Sequence, residues 1–141
     1  MATLDRETAQ RIDFKSKSEN IVVVEQLIND LCDKHAIHGD QYGNLLIALT
    51  EAVNNAIIHG NAGDPNKNVI VEYNSCESSL DFTVIDEGAG FDFENLPDPT
   101  DPKNIEKPSG RGVFLMRNLA DEVNFQDEGR IVELKFQIIA N

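Results

Sequence analysis

The sequence predicts an α+β domain, a two-layer sandwich in which helices cover one face of a mixed, mainly antiparallel sheet. Three observations predict it. Short segments alternate apolar and polar residues, longer ones repeat apolar residues at three- and four-residue steps, and the segments follow in the order βααββαββ. Strands that succeed one another so closely must pair as hairpins, because a parallel pair needs a long crossover.

Taken in order, residues 11–17 place Ile12 and Phe14 between polar neighbours, as in a strand with one buried face. Ser18 offers an N-cap for a helix to about residue 36, with Ile21, Val24, Leu27, Ile28 and Leu31 on one stripe. Gly39 breaks it, and Asp40 caps a second helix to about residue 59, for which Gly60 is a stop. Residues 68–74 and 80–86 are β-branched and aromatic runs joined by five turn residues, which reads as a hairpin. Residues 87–112 hold four of the five prolines and four of the nine glycines, the composition of a long functional loop. A helix over about 112–121 buries Val113, Leu115, Met116 and Leu119. A second hairpin, 122–126 and 130–139, turns at Asp127, Glu128 and Gly129.

A chain of 141 residues is one domain's worth, so residues 1–141 are expected to share a single core. Its formal charge of −13 disfavours nucleic acid and anionic lipid as direct partners. Cys32 and Cys76 make no disulfide framework, no apolar run approaches the roughly 20 residues of a membrane span, and the first residues are polar and acidic. A cytoplasmic protein with no membrane partner is expected.

Three stretches carry candidate chemistry. In EAVNNAIIHGN, residues 51–61, Glu51 and Asn55 lie one turn apart on one helix face. An Asn carbonyl is a hard oxygen that can ligate Mg²⁺, and Glu can take a proton from a hydroxyl nucleophile; a solvated polar face is the alternative. In DEGAGFD, residues 86–92, Asp86 ends an apolar strand, where it can accept a hydrogen bond from an exocyclic amine such as adenine's. Gly88 and Gly90 would let a flat ring approach the backbone; the alternative is an ordinary strand-to-loop turn. In SGRGVFLM, residues 109–116, Gly110 and Gly112 expose N–H groups at a helix start for phosphate oxygens, and Arg111 adds a positive charge. Cys32, His35 and His38 lack a second ligand pair, and Asp64, Asn66 and Asn68 lack the glycine and the bidentate Glu of a calcium loop, so neither set reads as a metal site. No P-loop or Rossmann glycine pattern occurs.

In this order the three stretches resemble the N, G1 and G2 boxes of the GHKL ATPases, which share the Bergerat ATP-binding fold. Their wording is most similar to that of the anti-sigma factor serine kinases. The resemblance implies ATP and Mg²⁺ as cofactors, Asn55 as the metal ligand and Glu51 as the base that activates a serine hydroxyl. It further implies Asp86 on the adenine amine, Gly88 and Gly90 around the ring, residues 87–112 as an ATP lid, and Ser109, Gly110, Arg111 and Gly112 at the phosphates. The implied reaction moves the γ-phosphoryl of ATP to a serine of an anti-anti-sigma (STAS-domain) protein. A sigma factor is the implied second partner, and a homodimer the implied assembly. Two positions depart from the pattern. Pro108 precedes the Ser-Gly where a basic residue is usual, and Arg130 and Ile131 follow Gly129 where a Thr pair is usual. The alternative to a kinase is an ATP-binding anti-sigma module without turnover.

Overall fold

The computed structural model describes residues 9–75, 78–88 and 108–138, with the backbone alone at 108–111. Strands β1 (Gln10–Lys15), β2 (Asn68–Ser75), β3 (Ser79–Asp86), β4 (Glu122–Gln126) and β5 (Ile131–Gln137) form one sheet in the order β1-β2-β3-β5-β4. Every pairing in it is antiparallel, so the expectation of a mixed sheet narrows to its antiparallel part.

Register explains how one face becomes the core. Val71 pairs with Val84 and Val84 with Val132, while Phe82 pairs with Leu134 and Leu80 with Phe136, which aligns their side chains across three strands. Phe82 meets Phe136 edge-on, with centroids 6.0 Å apart. Onto this face pack Val24, Ile28 and Leu31 of α1 (Ile21–His35) and Leu45, Leu49 and Val53 of α2 (Gly39–Asn55). The layer order and the βααββαββ succession are those expected from the sequence.

Element ends differ from the expectation for local reasons. Ser18 does not cap α1. It lies in a 3₁₀ turn, Ser18–Asn20, which Asn20 ties to the end of β1 by donating from Nδ2 to the Lys15 carbonyl at 2.8 Å. α1 ends on Ala36, whose φ of 55° reverses the chain without a glycine. Asp40 lies within the first turn of α2 rather than before it, where its charge complements the helix dipole.

The second helix does not end at Gly60 by a glycine stop. It passes into a π-helical turn, Ala56–Gly60, closed by a 2.8 Å bond from Asn61 N–H to the Ala56 carbonyl. The reversal comes later, at Ala62 and Gly63, with φ of 54° and 70°. α3 (Pro108–Leu119) starts before the expected Gly112. Pro108 explains this, since its fixed φ and missing N–H suit the first helical position. Beyond α3, Asp121 N–H donates to Lys135 O at 2.8 Å and the Asp121 carboxylate accepts from Gln137 N–H at 2.7 Å, which joins the helix exit to β5.

Candidate functional site

The chemistry-bearing ends of α2, β3 and α3 converge at one edge of the sandwich. Glu51 and Asn55 face α3 from the last turns of α2, and the residue that meets them is Gly112. A Cβ placed there would stand 2.8 Å from Asn55 Nδ2, 3.1 Å from Asn55 Oδ1 and 3.1 Å from Glu51 Oε2. Only a glycine lets the helix backbone lie so close to an acid and an amide. Asn55 is 4% exposed, and its Nδ2 has no hydrogen-bond partner among the described residues. A buried amide with an unmet group is the kind of site a ligand satisfies, and turning it by half a revolution presents the carbonyl oxygen instead. Asn55 Oδ1 is a hard oxygen that fits Mg²⁺, and the Glu51 carboxylate lies beside it against the same glycine. Among the described residues no group of three His, Cys, Asp or Glu is arranged to hold a metal; Cys32 is packed in the core. Asp64 makes a polar turn, accepting from Asn66 N–H at 2.9 Å.

Asp86 closes β3 at the same edge. Its backbone N–H donates to Arg130 O at 3.0 Å and its Oδ1 accepts from Gly88 N–H at 2.9 Å, so one bond holds the main chain and the other the carboxyl. Burial raises its pKa above the ordinary 3.8, against the opposing pull of the Gly88 N–H and the charges of Arg130 and Lys67. Two glycines make room for it. A Cβ at Gly60 would stand 2.2 Å from Asp86 Oδ2, and one at Gly88 would stand 1.5 Å from the Gly60 carbonyl oxygen. Gly60 is therefore a close-approach residue, and Gly88 packs backbone to backbone against the π turn. Gly90, and residues 89–107 of the expected lid, lie outside the described residues.

α3 brings the third stretch in. With the helix starting at Pro108, the N–H of Gly112 falls inside the i→i−4 ladder, and the first-turn N–H groups without a helical acceptor are those of Ser109 and Gly110. Those two are the backbone donors available to an anion, while Gly112 serves by its closeness to Asn55 and Glu51. The side chains of Ser109 and Arg111 lie outside the described residues.

A narrow cavity of about 10 Å³ joins Asn55 to Asp86, walled by Met116, Val84 and Val132 and bordered by Arg130. The apolar walls between two polar ends suit a flat heteroaromatic ring whose edge carries hydrogen-bonding groups.

Asn61 is a structural member of the site to which its sequence position assigns no role. Fully buried, it donates from Nδ2 to Ser16 Oγ at 2.6 Å and to Asn68 O at 2.9 Å, and its Oδ1 accepts from Glu87 N–H at 2.7 Å. One side chain thus ties the exit of β1, the entry of β2 and the exit of β3 to the π turn. The only signal in the sequence was an amide closing the same stretch as Glu51 and Asn55. Asn61→Ala leaves several buried groups unmet and is expected to cost about 2–4 kcal/mol in stability. Urea unfolding checks this, and a loss below about 0.5 kcal/mol would show that water replaces the network.

The profile of the histidine kinase-like ATPase domain family matches residues 14–136. The chain is 33% identical over 122 residues to an anti-sigma F factor of Clostridium perfringens, covering 84% of this chain and 86% of that protein. It is 28% identical over 135 residues to the serine-protein kinase RsbW of Bacillus cereus, covering 89% of this chain and 84% of that protein. Among solved structures, the crystal structure of the RsbU and RsbW domains of Rv1364c from Mycobacterium tuberculosis superposes with a TM-score of 0.62 at 14% identity. That match covers 92% of this chain and 32% of the longer one, and is a likeness of fold. Together with the convergence of the three stretches at one edge, these matches settle the family: the chain belongs to the histidine kinase-like (GHKL) ATPases, among their anti-sigma factors and serine-protein kinases.

Proposed function

We propose that the chain is an ATP-binding anti-sigma factor and serine-protein kinase that transfers the γ-phosphoryl of ATP to a serine of an anti-anti-sigma (STAS-domain) partner. The observation that carries this reading is the contact of Gly112 with both Asn55 and Glu51, at one end of a cavity whose other end is Asp86. Asp86 accepts from the exocyclic amine of adenine and so fixes the nucleotide at its base end. The first turn of α3 offers N–H groups to the phosphates. Asn55 Oδ1 would hold Mg²⁺, and the ion would neutralise charge on the β- and γ-phosphates. Glu51 takes the proton of the serine hydroxyl as its oxygen bonds to the γ-phosphorus and the bond to the β-phosphate oxygen breaks, releasing ADP. Little covalent help is needed, because positioning and charge neutralisation dominate phosphoryl transfer.

The cavity is too narrow for a purine as it stands, so the base enters as α3, which lines it with Met116, draws back. No described helix is long and apolar enough to cross a membrane. A cytoplasmic homodimer that also holds a sigma factor follows from the family resemblance, and mass measurement in solution tests the assembly.

One observation favours a second reading, an ATP-binding module without turnover. Pro108 opens α3, so the residue before Ser109 carries no charge to set against the γ-phosphate. Both readings need the nucleotide and its metal. Calorimetric titration with ATP is expected to show affinity at least tenfold lower once Mg²⁺ is chelated, since a chain of net charge −13 must otherwise hold a polyanion unaided. Equal affinity with and without Mg²⁺ would overturn the metal assignment at Asn55.

A further inference from the structure

The turn between β4 and β5 runs through three successive residues with left-handed backbone, Asp127 at φ 52°, Glu128 at φ 58° and Gly129 at φ 87°. Two of them are not glycine, a conformation that costs energy and persists only where surrounding contacts hold it. Besides the Gln126–Ile131 pairing that closes the hairpin, Arg130 supplies contacts of this kind. Its N–H donates to Asp127 O at 3.1 Å, and its Nη2 stands 2.6 Å from Asp127 Oδ2. Its carbonyl accepts the N–H of Asp86 at 3.0 Å. The side chain is thus held by the turn while its backbone is locked to the proposed base acceptor. Although the side chain is 39% exposed overall, its Nε is buried and has no hydrogen-bond partner among the described residues. Arg130 is also, among the described residues, the one cation lining the cavity that Asp86 and Asn55 share. A buried N–H donor is costly to leave unmet, and the residue that carries this one borders the space that a ring would fill.

We propose that Arg130 is a specificity-determining residue for the base: its Nε–H donates to the ring nitrogen beside the exocyclic amine that Asp86 accepts. Acceptor and donor side by side match the amine and ring-nitrogen edge of adenine. In the same alignment guanine turns a carbonyl toward the carboxylate, so the pair discriminates against it. Asp127 is the positioning residue that sets the guanidinium so that Nε, rather than a terminal nitrogen, borders the cavity. The inference rests on the reading of Asp86 as the base acceptor, and its test separates the two.

The probes are ATP, 1-deaza-ATP and 7-deaza-ATP, each lacking one ring nitrogen beside the amine, and purine riboside triphosphate, which lacks the amine. The full chain is titrated with each in Mg²⁺. One deaza analogue is expected to bind about tenfold weaker than ATP. In Arg130→Met that preference should vanish, ATP having weakened to the level of the analogue. Arg130→Lys keeps the charge without Nε and should behave as the Met variant does, with thermal melts of both showing a folded chain. Wild-type preference retained by either variant, or equal affinity of the wild type for ATP and both deaza analogues, would overturn the role of Arg130 alone. Equal affinity for ATP and purine riboside triphosphate would overturn the Asp86 reading, and the Arg130 inference with it.

Discussion

Asp86→Asn is expected to lose ATP affinity by about two orders of magnitude while the folded chain becomes no less stable at neutral pH. The loss follows from polarity. The carboxylate offers only acceptors, whereas the amide sets an N–H against the amine of the base and leaves both donors unmet in a closed site. The stability half follows from burial. Asp86 is 6% exposed and its pKa is raised above 3.8 because the interior penalises the charged form. The fold therefore binds this proton more tightly than the unfolded chain does. The contribution to stability is greatest below pH 3.8 and declines as pH rises through the raised value, so above that value the ionised group costs stability in full. An amide carries no such cost and can still accept from Gly88 N–H. The melting temperature of Asp86→Asn should thus equal or exceed that of the wild type at pH 7, with its advantage shrinking as pH falls. Calorimetric titration and paired melts at neutral and mildly acidic pH measure both parts; retained ATP affinity would remove Asp86 from the base site.

Glu51→Gln is expected to slow phosphoryl transfer by about 10²–10⁴-fold with ATP affinity changed only a few-fold. The amide matches the carboxylate in size, so the close approach of Gly112 to Glu51 and Asn55 is kept, but it cannot take the proton of a serine hydroxyl. Single-turnover transfer from radiolabelled ATP reads the chemical step separately from binding. A variant that transfers at the wild-type rate would leave Glu51 as a packing residue under α3. Equal losses of affinity and rate would instead place it among the groups that hold Mg²⁺.

The layered fold was legible because it depends on periodicity. Ile12 and Phe14 of β1, the α1 and α2 stripes and the two hairpins all follow from which residues repeat at steps of two or of three and four. What the sequence hid is whatever depends on two distant segments meeting. Gly60 looks like a helix stop until Asp86 is placed against it, and Gly88 looks like a turn residue until its Cα meets the Gly60 carbonyl. Asn61 cannot be assigned a role before β1, β2 and β3 end beside one another. The π turn leaves no mark in the apolar pattern, because it shifts the backbone bond by one residue and keeps the same residues buried. The early start of α3 was written in Pro108, whose preference for a first helical position competes with the loop-like composition before it. At the site itself, Glu51, Asn55 and Asp86 were legible as chemical types at spaced positions. Arg130 was legible only as a departure from the family pattern, since the fold is what sets it beside Asp86.

The central claim, that this edge of the fold moves a phosphoryl group to a protein serine, is tested most directly by incubating the full chain with Mg²⁺, γ-labelled ATP and a STAS-domain protein and locating the label by mass spectrometry. Label on a serine of the STAS protein, absent when Mg²⁺ is chelated and strongly reduced with Glu51→Gln, is the predicted result. Tight Mg²⁺-dependent ATP binding with no phosphoserine on any STAS partner tested would contradict it and leave an anti-sigma module that binds nucleotide without turning it over.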